Sequence, residues 1–177
     1  DPHGEPLREA PLDWGLSAAF HDINHDGLPD LYVCNDFWTP DRFWINQGNA
    51  FKLLNPENFG KTSASSMGVD FSDYDRDGDV DLFVVDMLSR DLAMRKRQAP
   101  AQDSSDRLVN QGKYADQVMR NTLLNNRGDG SFAELANMAG LSASGWSWSP
   151  VFLDVDLDGY EDLIITAGHY KDTQDLD

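Results

Sequence analysis

Residues 68–85 read Gly68-Val-Asp70-Phe71-Ser-Asp73-Tyr-Asp75-Arg-Asp77-Gly78-Asp-Val-Asp81-Leu82-Phe-Val-Val85, two short apolar runs around a nine-residue acidic turn. The turn has the pattern D-x-D/N-x-D-G-x-x-D. It recurs as Asp22-Ile-Asn24-His-Asp26-Gly27-Leu-Pro-Asp30 and as Asp154-Val-Asp156-Leu-Asp158-Gly159-Tyr-Glu-Asp162. Eleven carboxylates stand at the first, third, fifth and ninth positions of the three copies, and the sixth position is always Gly. A single acidic run is ordinarily a solvated face. Three runs of identical spacing point to a shared ligand, because like charges this close destabilise a compact state unless a cation neutralises them.

The spacing suits a hard divalent cation. Ca²⁺ takes six to eight oxygens at roughly 2.3–2.6 Å. Alternate residues at positions 1, 3 and 5 turn side-chain oxygens inward, Gly at 6 permits the bend, position 7 offers its carbonyl, and the Asp at 9 closes the shell. Oxygen-only ligands disfavour zinc and copper, and Mg²⁺ keeps more water than so complete a cage allows.

The same nine residues open an EF-hand loop, which would require Glu at position 12 and a helix on each side. Position 12 is Val33, Val84 and Ile165. The runs that follow, Leu31-Tyr-Val-Cys34, Leu82-Phe-Val-Val85 and Leu163-Ile-Ile-Thr166, are β-branched and aromatic, as in buried strands. Ser17-Ala-Ala-Phe20, Gly68-Val-Asp-Phe71 and Pro150-Val-Phe152-Leu precede the turns, with Phe always two residues before the first Asp. The turns are therefore expected between strands. A second hairpin follows the first two, since Arg42-Phe-Trp-Ile-Asn-Gln-Gly48-Asn-Ala-Phe51 matches Asn121-Thr-Leu-Leu-Asn-Asn-Arg-Gly128-Asp-Gly130-Ser-Phe132, and Asn/Gly pairs supply the positive φ of tight turns. Four antiparallel strands per repeat of about 40–50 residues is the blade of a β-propeller.

These loops, each followed by Leu, resemble the FG-GAP (VCBS-type) repeats of integrin-α-like propellers. The turn NNRGDGSF at 125–132, the run GWSWSPVFLDVDLDGYEDL at 145–163 and AGHY at 167–170 are similar to a narrower group, the cartilage acidic protein family, whose bacterial members carry an ASPIC/UnbV domain after the propeller. The resemblance covers about residues 12 to 170, and no ASPIC/UnbV segment is visible in the sequence. It implies three calcium sites: Asp22, Asn24, Asp26, the Leu28 carbonyl and Asp30; Asp73, Asp75, Asp77, the Asp79 carbonyl and Asp81; Asp154, Asp156, Asp158, the Tyr160 carbonyl and Asp162. Asn24 replaces a carboxylate, so the first site is expected to be weakest.

The expected fold is all-β, a fragment of a propeller with two and a half to three four-stranded blades. The chain reads as a single partial domain with units at about 12–60, 61–138 and 139–177, the last incomplete, and Asp1 to Pro11 as the tail of a preceding blade. Family resemblance implies seven blades in all, the remainder lying elsewhere in a longer chain. The first two turns start 51 residues apart and the last two 81. The 30-residue difference places an insertion at about 87–120, in which a short helix is expected from Ser104. It holds Arg90, Arg95, Lys96, Arg97, Arg107, Lys113 and Arg120, half of the 14 basic residues. It reads as a solvated insertion offsetting the acidic loops, with a basic lid over an anionic glycan as the competing reading.

Composition narrows the function. The 177 residues carry 31 acidic against 14 basic side chains, a net charge of −17 and a pI near 4.3, which argues against nucleic acid as a partner. No apolar run reaches the length of a membrane helix, and the first residues do not read as a secretory leader. A lone cysteine, Cys34, excludes an internal disulfide and reads as an inert buried hydrophobe. Arg127-Gly-Asp129 spells an adhesion tripeptide, but its Gly and Asp serve a hairpin turn. Trp14, Trp146 and Trp148 are read as inter-blade packing, Trp38 and Trp44 as candidate sugar contacts. His25 is read as a loop spacer, His21 as a neighbour of a ligand and His169 as a structural strand end. No nucleophile–base pair, P-loop or zinc signature is present. The sequence therefore points to a non-catalytic calcium-binding module, secreted, periplasmic or on the cell surface, that binds a protein or an acidic glycan. A polysaccharide-cleaving propeller with its catalytic residues in other blades and a plain structural spacer are the alternatives.

Overall fold

In the computed structural model, residues 13–36, 39–96 and 117–168 are described here. The β-branched and aromatic runs on either side of each acidic turn form hairpins. These are β1 (Gly15–His21) with β2 (Asp30–Asn35), β6 (Gly68–Ser72) with β7 (Asp81–Val85), and β11 (Ser147–Leu153) with β12 (Asp162–Ala167). Their registers are equivalent, with His21 opposite Asp30, Ser72 opposite Asp81 and Leu153 opposite Asp162. The acidic turn is thus the whole connection in each case, and its ninth residue starts the second strand.

Two hairpins extend into four-stranded antiparallel sheets. β3 (Arg42–Asn46) and β4 (Phe51–Leu53) add to β2, while β9 (Thr122–Asn126) and β10 (Phe132–Glu134) add to β7. Among the described residues the third sheet has two strands, β11 and β12. Between the first two sheets lie α1 (Pro56–Phe59), N-capped by the Asn55 side chain, and β5 (Thr62–Ser63). β5 pairs in parallel with β8 (Gln117–Val118), so the connector and the end of the insertion form a small sheet of their own. Residues 92–96 form a short helical turn, whereas the helix expected from Ser104 lies outside the described residues.

The sheets stack in a row, β6 packing against β1 on one side and β11 on the other. The middle sheet is covered on both faces. Alternate residues of β7 serve two cores: Leu82 and Val84 join Tyr32, Cys34, Phe43 and Phe132, while Phe83 and Val85 join Leu123 and Ala136, against which Phe152, Leu163 and Ile165 pack. All five β7 residues are buried. The outer sheets bury one face only. Leu16 and Phe20 on β1, and Val151, Leu153 and Ile164 on β11 and β12, remain exposed. Cys34 is fully buried in the first core, and burial pushes its thiol well up, which fits an inert side chain.

Polar ties cross the seams. Asp70 Oδ2 accepts from Phe152 N at 2.7 Å, and Ser72 Oγ donates to Glu161. The connector 62–66 is fastened to both four-stranded sheets through two buried carboxylates. Asp41 accepts from Tyr32 Oη and Ser66 Oγ at 2.7 Å and from Asn35 N at 2.8 Å. Asp86 accepts from Ser63 Oγ and from Ser65 N at 3.1 Å, while its own N–H donates to Asn121 Oδ1 at 2.7 Å. Burial pushes Asp41 up to about 7 and Asp86 up to about 6; the hydrogen bonds offset part of this, and Asp86 adds repulsion at Asp41.

Two predictions follow from this packing. A Cβ on Gly68 would lie 2.7 Å from the Trp148 carbonyl oxygen, backbone that cannot swing aside. Gly68→Val is expected to cost about 1–3 kcal/mol in a denaturant melt, and an unchanged midpoint contradicts the β6–β11 seam. Because Asp41 holds its proton more tightly folded than unfolded, its contribution falls as pH rises from about 4 to about 7 and is lost above that. Asp41→Asn, whose amide the Tyr32 and Ser66 hydroxyls can accept from, is therefore expected to raise Tm at pH 8 and to flatten the decline between pH 5 and 8. A variant with the wild-type pH slope refutes this.

Candidate metal centre

Each acidic turn folds around its own backbone. The first Asp accepts from the sixth-position Gly: Gly27 N to Asp22 Oδ2 at 2.9 Å, Gly78 N to Asp73 Oδ2 at 3.1 Å, Gly159 N to Asp154 Oδ2 at 2.9 Å. The fifth accepts from the seventh, with Leu28 N to Asp26 and Asp79 N to Asp77 at 2.9 Å and Tyr160 N to Asp158 at 2.8 Å. The third accepts from the fifth, Asn24 from Asp26 at 3.1 Å, Asp75 from Asp77 at 3.4 Å and Asp156 from Asp158 at 3.2 Å. Such local side-chain-to-backbone bonds are why Asp and Asn build turns. The sixth residue has φ of 84°, 94° and 87°, and nothing lies within 4 Å of a Cβ built on Gly27 or Gly78. Gly is needed there for its conformation, not for space.

The second and third turns bring three carboxylates together; Asp22, Asp26 and Asp30 of the first do not form such a group. One oxygen each from Asp73, Asp75 and Asp81 lies within 4.8 Å of the others, and the same holds for Asp154, Asp156 and Asp162. Asp77 and Asp158 stand outside these groups, engaged with the backbone of their own turn tips. In the first turn the third position is an amide, and Asn24 Nδ2 donates to Asp26 Oδ2 at 3.1 Å. Leu28, Asp79 and Tyr160 occupy the three tips, next to the Gly that bends each chain.

The ninth Asp separates the three turns. Asp30 and Asp81 are buried, each accepting from the backbone of the outer hairpin, Asn46 N at 2.7 Å and Asn126 N at 2.8 Å. Asp162 is exposed. Ile23 N satisfies the second oxygen of Asp30 at 3.2 Å. In the middle turn Asp73 Oδ1 and Asp81 Oδ2 are buried without a hydrogen-bond partner of good geometry, the Tyr74 N–H that faces Asp81 offsetting only part of its burial. Burial, with repulsion from Asp75 and Asp77, pushes Asp81 up to about 7, and burial also raises Asp30. An unpartnered buried carboxylate oxygen costs more than almost any other group of its size. The donor set fits a hard cation, which would satisfy these oxygens and relieve the repulsion together.

The turns also touch one another through a residue that the motif leaves open. The fourth position has positive φ in all three, His25 57°, Arg76 62° and Leu157 62°. His25 Nε2 lies 2.9 Å from the Gly78 carbonyl oxygen, and the Arg76 guanidinium sits 3.9 Å from the centre of the Tyr160 ring. In the first two turns the fourth residue thus reaches the sixth or seventh position of the next turn. His25, expected to be only a spacer, bridges two turns, and His21 stacks on Phe71 with centroids 5.2 Å apart.

The remaining candidates fall out of the site. Asp129 of the Arg-Gly-Asp turn spends Oδ1 on Ser131 N and Oγ, at 2.9 and 2.6 Å, and Gly128 leaves no room for a side chain beside Asp79. Of the basic insertion, Arg120 pairs with Glu134, Arg90 donates to the Ala143 carbonyl at 3.0 Å and Arg95 to that of Ser89. These three serve the fold rather than a free basic surface. Arg97, Arg107 and Lys113, like Trp38 and His169, lie outside the described residues. Trp14 and Trp148 are exposed, Trp146 and Trp148 approach to 6.4 Å, and Trp44 is half-buried in β3.

A double-mutant cycle tests the bridge between turns. Arg76→Ala and Tyr160→Ala are each expected to cost about 0.5–1 kcal/mol, with the double variant costing clearly less than their sum. Full additivity in urea melts contradicts the contact.

A family model described as FG-GAP-like repeat matches residues 11–84 and 108–165, well over half of the chain, and these stretches contain all three acidic turns. No curated protein matches the chain. The match is to the repeat and does not extend to the narrower cartilage acidic protein group. Repeats of this kind are propeller-like and typically non-catalytic. With three equivalent hairpins inside the matched residues, each closed by the same acidic turn, the chain belongs to the FG-GAP-like repeat family.

Proposed function

We propose that this chain is part of a calcium-binding β-propeller, a non-catalytic module that presents protein or glycan partners with a surface stiffened by bound ions. The observation that carries the reading is the middle turn, where Asp73, Asp75 and Asp81 converge and two buried carboxylate oxygens lack hydrogen-bond partners of good geometry. Asp22, Asn24, Asp26, Asp30 and the Leu28 carbonyl would hold one ion. Asp77 and the Asp79 carbonyl would complete the second site. Asp154, Asp156, Asp158, Asp162 and the Tyr160 carbonyl would hold the third. Three divalent ions add six positive charges and take the formal charge from −17 to −11. The exposed apolar faces of β1 and of β11–β12 suit further blades, since such faces are covered in repeat proteins. Sites of micromolar affinity fill at the millimolar calcium found outside cells, which favours a secreted, periplasmic or surface setting.

Calcium's weight in stability follows from linkage. With Kd near ~10 µM and ~1 mM free calcium, each site contributes about 2.7 kcal/mol, and three contribute about 8 kcal/mol. A whole domain has about 5–15 kcal/mol. Excess chelator is therefore expected to lower Tm by well over ten degrees, while an unchanged melt overturns the reading. Calorimetric titration is expected to resolve unequal sites with the first turn weakest, having three carboxylates and both Asp30 oxygens already engaged. Three equal sites contradict that order.

A further inference from the structure

The carboxylates of the middle turn receive a polar side chain that its own nine residues do not supply. Asn125 lies on β9, where Leu82 pairs with Leu124, so the residue after Leu124 flanks Asp81. Its Nδ2 is 2.8 Å from Asp75 Oδ2 and 3.2 Å from Asp81 Oδ1. In the first sheet Leu31 pairs with Trp44, and the equivalent residue is Ile45, which packs on the hydrophobic core. The amide is therefore a feature of the second turn that the first lacks.

The side chain also meets the Tyr74 hydroxyl, and its distances from the carboxylates suit a ligand. Neighbouring oxygens in a seven-oxygen shell about 2.4 Å from Ca²⁺ stand about 2.8–3.4 Å apart, and both amide distances fall in that range. The two ends of a carboxamide have nearly the same shape, and a half-turn of the group exchanges donor for acceptor. The NH₂ end faces two carboxylates when they carry the local charge unaided, and the oxygen is favoured once a cation lies among them. A second observation is independent of the amide. Asp81 is fully buried, its Oδ2 lacks a hydrogen-bond partner of good geometry, and its carboxylate converges with Asp73 and Asp75.

We propose that Asn125 is a further side-chain ligand of the second turn, that it turns its amide to present Oδ1 to calcium, and that this oxygen makes the second site the tightest of the three. The inference rests on the reading of the turns as calcium sites. Its test is calorimetric titration of the chain with calcium chloride, comparing wild type, Asn125→Ile and Asn125→Asp. Asn125→Ile, which copies the first sheet, is expected to weaken the tightest site on the order of tenfold and to leave the other two within twofold. Asn125→Asp, which keeps an oxygen, is expected to bind at least as tightly as wild type. Unchanged or tighter binding by Asn125→Ile overturns the role of Asn125 alone, and absence of calcium binding by wild type overturns the site reading and this inference with it. Should Asn125→Ile fail to fold, Asn125→Asp decides: a tightest site weakened more than tenfold overturns the proposal.

Discussion

Carboxylates held closer than they would sit in water are the constraint around which these repeats are organised. The second and third hairpins close through nine residues that place acidic oxygens within 4.8 Å of one another, in surroundings where water screens them less than in bulk. Backbone N–H groups at the tips satisfy part of this demand by donating to the first, third and fifth positions. What they leave over differs between turns. It is smallest in the first, with its Asn24 amide, and largest in the middle, where buried oxygens have no donor of good geometry. A fold that keeps such repulsion at its hairpin tips is expected to gain stability from cations in its surroundings.

The ninth position carries that dependence into the core. Asp30 and Asp81 begin the second strand of their hairpins and accept from the backbone of the neighbouring outer hairpin. The next residues of β7 divide between two hydrophobic cores. A change in charge at the turn is therefore one residue away from side chains that hold adjacent sheets together. His25 and Arg76 carry it sideways as well, from one turn to the next. At the opposite end of β7, Asp86 and the connector serine residues make a second junction between sheets.

Much of this was legible in the sequence because its signals are local. Leu82-Phe-Val-Val85 announces a strand buried on both faces, and Asp73 to Asp81 announces a turn by spacing alone. Val33, Val84 and Ile165 at position 12 separated the strand-flanked turn from the EF-hand. The features that escaped depend on distant partners. Asp41 and Asp86 are single acids outside any pattern, and their burial is decided by the Ser63–Ser66 connector. His25 and Arg76 occupy open positions of the motif, with partners 53 and 84 residues away. β5 and β8 have two residues each, too few for a periodic signal. The capped turn at Asn55-Pro56 carried a helix-start signal that the strand pattern around it obscured. Asn125 is read as an ordinary hairpin residue until the register sets it beside Asp81.

The most direct test of the account is a crystal structure determined with millimolar calcium, with anomalous differences collected to locate the ions. The account predicts a peak at the middle turn with oxygens of Asp73, Asp75 and Asp81 at about 2.3–2.6 Å, and further peaks at the other two turns. Well-ordered turns without ion density at that concentration would show that the acidic oxygens are tolerated bare, and would contradict it.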